Sequence, residues 1–168
     1  NDEIKREIED YLKSKELIFL ISEKFNLKVI FDSFIIRLNI FNLNSPEEYG
    51  PKMWHRDNDS FFGQLKFFLI TNELNKKDGG MFFFIPQKYL TGYLKLKSNY
   101  NQDKTIFSKT DINSRIKNKD VLNNVILKNK IISFGLNNEE ALILDTNDTY
   151  HKGGFIKSNE GYRIMVQA

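Results

Sequence analysis

The chain contains two histidines, and their surroundings can be read completely. His55 stands in the run Met53-Trp54-His55-Arg56-Asp57. On an extended segment, residues i and i+2 point to the same side, so His55 and Asp57 can share one ligand. His151 closes the run Asp145-Thr146-Asn147-Asp148-Thr149-Tyr150-His151 at the start of a late strand. Two histidines and one carboxylate on one face of a metal ion leave the opposite positions open, as in non-haem Fe(II) sites that admit a cosubstrate and dioxygen. His55, Asp57 and His151 are therefore the candidate metal-binding and catalytic residues. A plainer reading stands beside this one. A His-x-Asp pair is common by chance, and an isolated histidine is more often a surface or satisfied core residue than a ligand.

Arg163 is the next residue with chemical content. It lies between Tyr162 and Ile164 in an apolar strand. An arginine buried in such a strand needs an anion, because an unpaired guanidinium is costly to bury. Its planar fork matches a carboxylate through two parallel hydrogen bonds. The alternative is an arginine on the solvent side of a half-exposed strand.

These residues must be positioned by the elements around them. Ile4, Ile8, Tyr11, Leu12, Leu17, Leu20, Ile21 and Phe25 recur at helical spacing, which predicts one amphipathic helix over residues 2–25, packed outside a sheet. From Leu27 the pattern changes, and Leu27 to Leu43 reads as two strands. Pro46 and Gly50-Pro51 punctuate a loop. Strands are expected at Leu65 to Thr71, at Met81 to Ile85 beyond an Asp78-Gly79-Gly80 turn, and at Ile131 to Phe134. Others are expected at Ala141 to Leu144, His151 to Ile156 and Tyr162 to Gln167, with Asn159-Glu160-Gly161 as a last hairpin turn. Residues 87–130 read as an insertion or lid. Within it, Tyr89 to Leu96 suggests a short helix and Val121 to Leu127 either strand or helix. Many short strands with one N-terminal helix point to a sandwich or barrel rather than a parallel α/β fold.

Composition narrows the class. With 168 residues the chain is long enough for one domain with its own core. Its formal charge of +3 is spread over scattered lysines, without the basic stripe that would track a nucleic-acid backbone. No cysteine is present, which removes disulfides and thiolate metal sites and fits a reducing, cytoplasmic setting. No apolar run is long enough for a membrane-spanning helix.

Taken together, Trp54-His55-x-Asp57, the strand Leu65 to Thr71, Gly79-Gly80 to Pro86, Asp145-Thr146 to His151, and Arg163 resemble the phytanoyl-CoA dioxygenase family of Fe(II)/2-oxoglutarate-dependent oxygenases. The resemblance covers roughly residues 35–86 and 131–167. It implies a mainly β fold, a double-stranded β-helix or jelly roll, with the N-terminal helix outside and the 87–130 insertion between the barrel halves. It also implies iron on His55, Asp57 and His151, with Arg163 on the distal carboxylate of 2-oxoglutarate. Arg37-Leu38-Asn39 resembles an Arg-x-Asn strand of the ectoine-hydroxylase branch, which would bring Asn39 to the cosubstrate. Its alternative is a polar residue on a strand's solvent face. Two departures stand out. Many relatives carry a serine where this chain has Gly153, and the chain ends soon after Arg163.

The activity so implied is hydroxylation of a C–H bond in a small-molecule or lipid-like substrate, with dioxygen consumed and succinate and CO2 released. Related halogenases carry a small residue where Asp57 stands, so Asp57 argues for hydroxylation. Arg37, Trp54, Gln64 and Lys66 are expected to line the substrate mouth. Rival readings are a nucleic-acid dealkylase of the same superfamily, a cupin-like metal-binding isomerase, and a non-catalytic β-barrel binding module.

Overall fold

In the computed structural model, residues 2–42, 50–57, 65–74, 77, 79–89, 115–136, 140–147 and 149–168 are described. The first segment is helical, but it forms two helices, α1 (Asp2–Leu12) and α2 (Lys15–Phe25), where the periodicity predicts one. Ser14 makes the break. Its hydroxyl accepts the Leu17 N–H at 3.2 Å as an N-cap, and a serine offers that local bond more readily than it extends a helix. Asn26 ends α2 in the left-handed region (φ 51°), with its N–H returned to the last turn, a conformation asparagine tolerates better than most residues.

The rest is mainly β, in two antiparallel sheets. The first has the order β1 (Ile35–Ile40), β7 (Tyr162–Gln167), β2 (Leu65–Ile70), β5 (Ala141–Asp145). The second has the order β4 (Ile132–Phe134), β3 (Phe82–Ile85), β6 (Tyr150–Gly153). Among the described residues from Leu27 to Asn42, only β1 is a strand. Phe31 and Phe34 pack instead with Ile8, Leu12 and Leu17 over the outer face of the first sheet, against Phe67, Leu69, Ile143 and Val166. The helical segment therefore lies outside a sheet, as its one apolar stripe requires.

Alternation along β2 divides its side chains cleanly. Phe67 and Leu69 face the helices, whereas Phe68 and Ile70 enter a core shared with Leu144, Met165, Phe82 and Phe134 from both sheets. Lys66 is in step with Phe68 and Ile70, opposite Leu144, and so points inward. The second sheet divides the same way. Phe82, Phe84, His151 and Gly153 share its inward face through the pairs Phe82↔Gly153 and Phe84↔His151, because directly opposed residues lie on one side of a sheet. Ile85 and Tyr150 turn outward into a separate core with Trp54, Ile116, Val121 and Leu127.

Two further expectations change. The turn at Ser158–Gly161 exists, closed by the Gly161 N–H to Ser158 O at 3.0 Å, yet it joins no hairpin. β6 belongs to one sheet and β7 to the other, so the chain crosses the sandwich there. Of the 87–130 stretch, Val121–Leu122 and Val125–Leu127 are helical, in the short helices α3 (Asn118–Leu122) and α4 (Val125–Lys128), with Asn123 and Asn124 as the caps between them. These cover the outward face of the second sheet through Val121 and Leu127, away from the inward face that carries His151. The expected helix at Tyr89 to Leu96 lies outside the described residues beyond Tyr89. Among the described residues, no helix is long and apolar enough to cross a membrane.

Candidate metal centre

The segment 53–57 and the entry to β6 are laced together by backbone. His55 and His151 form an isolated antiparallel bridge, with N–H to carbonyl distances of 3.0 and 2.9 Å, and the Asp57 N–H reaches Thr146 O at 2.9 Å. Opposed residues in such a bridge present their side chains on one side, and the imidazole centroids lie 4.3 Å apart. Two residues further on, Asp57 falls on that same side. Its Oδ1 lies 3.7 Å from His55 Nε2, and its Oδ2 lies 3.7 Å from His151 Nε2.

Each ring is oriented from behind. His55 Nδ1 lies 2.7 Å from Met53 O, and His151 Nδ1 lies 3.0 Å from Thr149 O. A carbonyl only accepts, so in the neutral ring Nδ1 carries the hydrogen and the Nε2 lone pair faces Asp57. Phe82 stacks on the His151 ring at 5.5 Å between centroids, and Phe68 packs on Phe82 at 4.7 Å. Both histidines are buried.

Electrostatics agree with that tautomer. Burial pushes the His55 pKa down to about 4, and the charge of His151 adds to the effect. Burial likewise lowers His151, against the opposing pull of Asp57. For Asp57, burial alone would raise the carboxyl, but the neighbouring His151 and the hydrogen bond from Lys66 hold it below its ordinary value. Near neutral pH the centre therefore presents two neutral imidazoles and one carboxylate. The ligand atoms of His55, Asp57 and His151 all lie within 4.8 Å of one another. This donor set suits a divalent transition ion, since imidazole nitrogen with one carboxylate binds such ions well.

The other sequence candidates fall in different places. Arg163 is buried, 6 % exposed, on the inward side of β7. Its Nε and Nη2 donate to Asn39 Oδ1 at 3.1 and 2.7 Å, and Nη1 donates to Gly80 O at 2.7 Å. The register Asn39↔Arg163 makes this clamp possible, and the positive φ of Gly79 (76°) and Gly80 (81°) shapes the turn that supplies the carbonyl. Burial lowers the Arg163 pKa to about 10, helped by the charge of Arg37, so it remains a cation. Among the described residues no carboxylate pairs with it. A Cβ built on Gly153 would lie 3.6 Å from Arg163 Nη2, so the guanidinium tip sits beside the strand position two residues past His151.

Arg37 is exposed on β1 opposite Met165. Trp54 corrects an expectation. It is fully buried, its Nε1 donates to Asn118 Oδ1 at 3.1 Å, and it belongs to the outer core, because alternation turns it away from His55 and Asp57. Lys66 stands at the cluster itself. It is buried on the inward face and pairs with Asp57, Nζ to Oδ2 2.5 Å. Gln64 lies outside the described residues.

Sequence reasoning missed the Lys66–Asp57 pair and the Asn39–Arg163 clamp. The signal for the first was present: a lone lysine inside Leu65-Lys66-Phe67-Phe68-Leu69-Ile70, where a strand apolar on both faces must find its charge a partner. The second depends on which strand β7 joins. No protein-family model and no curated protein matches this chain.

Proposed function

We propose that this chain is an Fe(II)/2-oxoglutarate-dependent oxygenase of the phytanoyl-CoA dioxygenase type, built on a jelly roll. It would hydroxylate a C–H bond of a small-molecule or lipid-like substrate. One observation carries the reading. Between the inward faces of the two sheets, a His55–Asp57–His151 cluster is followed in the chain by a buried, clamped arginine that no described carboxylate neutralises. The passage of the chain between sheets at β2–β3, β4–β5, β5–β6 and β6–β7 supports the jelly roll.

In this reading His55, Asp57 and His151 hold iron and leave its remaining positions to cosubstrate and dioxygen. Bound iron with 2-oxoglutarate supplies the oxidising chemistry, in which dioxygen is reduced, succinate and CO2 leave, and one oxygen atom becomes the product hydroxyl. The protein's part is positioning. Gly153 lies two residues beyond His151, about 7 Å along a strand. The Arg163 fork beside it is thus set at the distance of a short dicarboxylate's far end. Three of its N–H groups are taken by Asn39 and Gly80, which leaves one on each terminal nitrogen for two parallel bonds to a carboxylate. Asn39 acts here by orienting Arg163, with its amide nitrogen the group left for the cosubstrate. Gly153, in place of a serine, adds no hydrogen bond but leaves the fork uncovered. Phe82 and Phe68 keep water from the His151 side of the centre.

The test is anaerobic addition of Fe(II) and 2-oxoglutarate to metal-free protein, read by the weak visible charge-transfer band of the chelate. The band should appear, and it should be lost in His55→Ala and weakened in Arg163→Ala. Iron binding with no response to 2-oxoglutarate would replace this reading with a cupin-like metal site. Failure to bind any metal would leave a non-catalytic β-barrel module.

A further inference from the structure

The proposed centre includes a cation that its three ligands do not require. Lys66 is 9 % exposed and stands on the inward face of β2 between apolar neighbours. Its ammonium holds Asp57 Oδ2 at 2.5 Å. Asp57 Oδ1 lies on the His55 side, 3.7 Å from its Nε2. The two carboxylate oxygens are thereby made unequal: one is bound by Lys66, and the other is left for a metal ion. Among the described residues, Asp57 supplies the only carboxylate of the cluster. Arg115 adds further positive influence on both histidines.

Charge then acts with opposite sign on the two ligands of the proposed reaction. A divalent cation entering beside a buried ammonium is repelled by it, and in a low-dielectric site the repulsion is poorly screened. A dicarboxylate that chelates the cation approaches the same ammonium and is attracted. We infer that Lys66 is a positioning residue that restricts Asp57 to one-oxygen ligation and sets the charge of the centre, so that the metal alone is held weakly and the anionic cosubstrate completes a tight assembly. This rests on the oxygenase reading above. It adds a device that keeps the centre from retaining a metal ion firmly before its cosubstrate arrives.

The experiment is calorimetric titration of the metal-free protein with Mn(II), a redox-inert substitute for Fe(II), followed by titration of the Mn(II)-saturated protein with 2-oxoglutarate. Wild type, Lys66→Met and Lys66→Arg are compared, with folding checked by circular dichroism. Removal of the charge in Lys66→Met should tighten Mn(II) by about tenfold and weaken 2-oxoglutarate by about tenfold. Lys66→Arg, which keeps the charge, should stay within about threefold of wild type on both. A role confined to scaffolding would move both affinities in the same direction, and that result overturns the inference. So does a Lys66→Met protein indistinguishable from wild type, although the metal centre itself would then stand. Wild-type protein that binds no Mn(II) removes the oxygenase reading and this inference together. Should Lys66→Met fail to fold, Lys66→Gln takes its place with the same criteria.

Discussion

His55 and His151 face each other across one antiparallel bridge, with backbone separations of 3.0 and 2.9 Å and ring centroids 4.3 Å apart. Their side chains converge because their backbones do. A ligand pair held in this way needs little rearrangement to receive an ion, and such preorganisation reduces the cost of binding.

Metal binding should therefore depend on each member of the cluster. Saturating Mn(II) is expected to raise the melting temperature of the wild-type protein, since an ion at one hundred times its dissociation constant stabilises the folded state by about 2.7 kcal/mol. His151→Ala and Asp57→Ala should show no such shift. A thermal scan with and without Mn(II) decides the matter, and an unchanged shift in either variant would remove that residue from the ligand set.

Acid should weaken the metal-free fold. The folded His55 pKa is lowered to about 4 from an ordinary 6.5, so the unfolded chain binds more protons in that interval, and stability rises with pH across it. The contribution is complete above about pH 6.5 and is lost as pH falls toward 4. One pKa unit is worth about 1.36 kcal/mol, which makes the full loss roughly 3 kcal/mol at most. The depressed pKa values of His151 and Asp57 act in the same direction. Urea unfolding at pH 7, 5.5 and 4 measures this, and flat stability between 6.5 and 4 would contradict it.

Trp54 should behave as a core residue and not as a substrate contact. Trp54→Phe loses the bond from Nε1 to Asn118 and some packing, at a cost of about 1–2 kcal/mol. Mn(II) and 2-oxoglutarate affinities should not change. Chemical denaturation and calorimetry on the same sample separate the two outcomes.

Neighbouring glycines should respond differently to a methyl group. At Gly153 an added Cβ meets nothing closer than 3.6 Å, whereas at Gly154 it would lie 2.4 Å from Met81 O. Gly153→Ala is expected to stay within about 0.5 kcal/mol of wild type, and Gly154→Ala to lose more than about 1 kcal/mol. Equal losses in denaturant unfolding would show that the close approach at Gly154 is not limiting.

The clamp on Arg163 gives a last expectation. Asn39→Ala removes the acceptor of two guanidinium bonds and should weaken 2-oxoglutarate about tenfold while sparing Mn(II), because Asn39 touches no metal ligand. Calorimetry with each ligand separately tests this, and a loss of Mn(II) binding would argue for a wider structural role.

Much of the strand content was legible. Leu65 to Thr71, Met81 to Ile85, Ala141 to Leu144 and Tyr162 to Gln167 stand within a residue or two of β2, β3, β5 and β7, since apolar β-branched and aromatic runs between turn residues leave few other options. The break at Ser14 was missed because apolar periodicity runs through it, and a single capping hydroxyl carries less weight in the pattern than the stripe around it. The Asn159-Glu160-Gly161 turn is legible, but the strands on either side of it pair with others and not with each other. Turn chemistry is local, whereas sheet membership is not.

Local rules therefore determined that the chain is rich in antiparallel strands, that a helical segment covers a sheet, and that His55 and Asp57 can share a side two residues apart. Tertiary pairing decided the rest. His151 meets His55 only through the bridge between segments far apart in the chain, and Asn39 reaches Arg163 only through the β1–β7 register. Lys66 finds Asp57 only because β2 turns it inward. The physical reason is common to all three. The period of a strand fixes which residues share a face, but which faces meet depends on how much apolar surface the whole chain can bury at once.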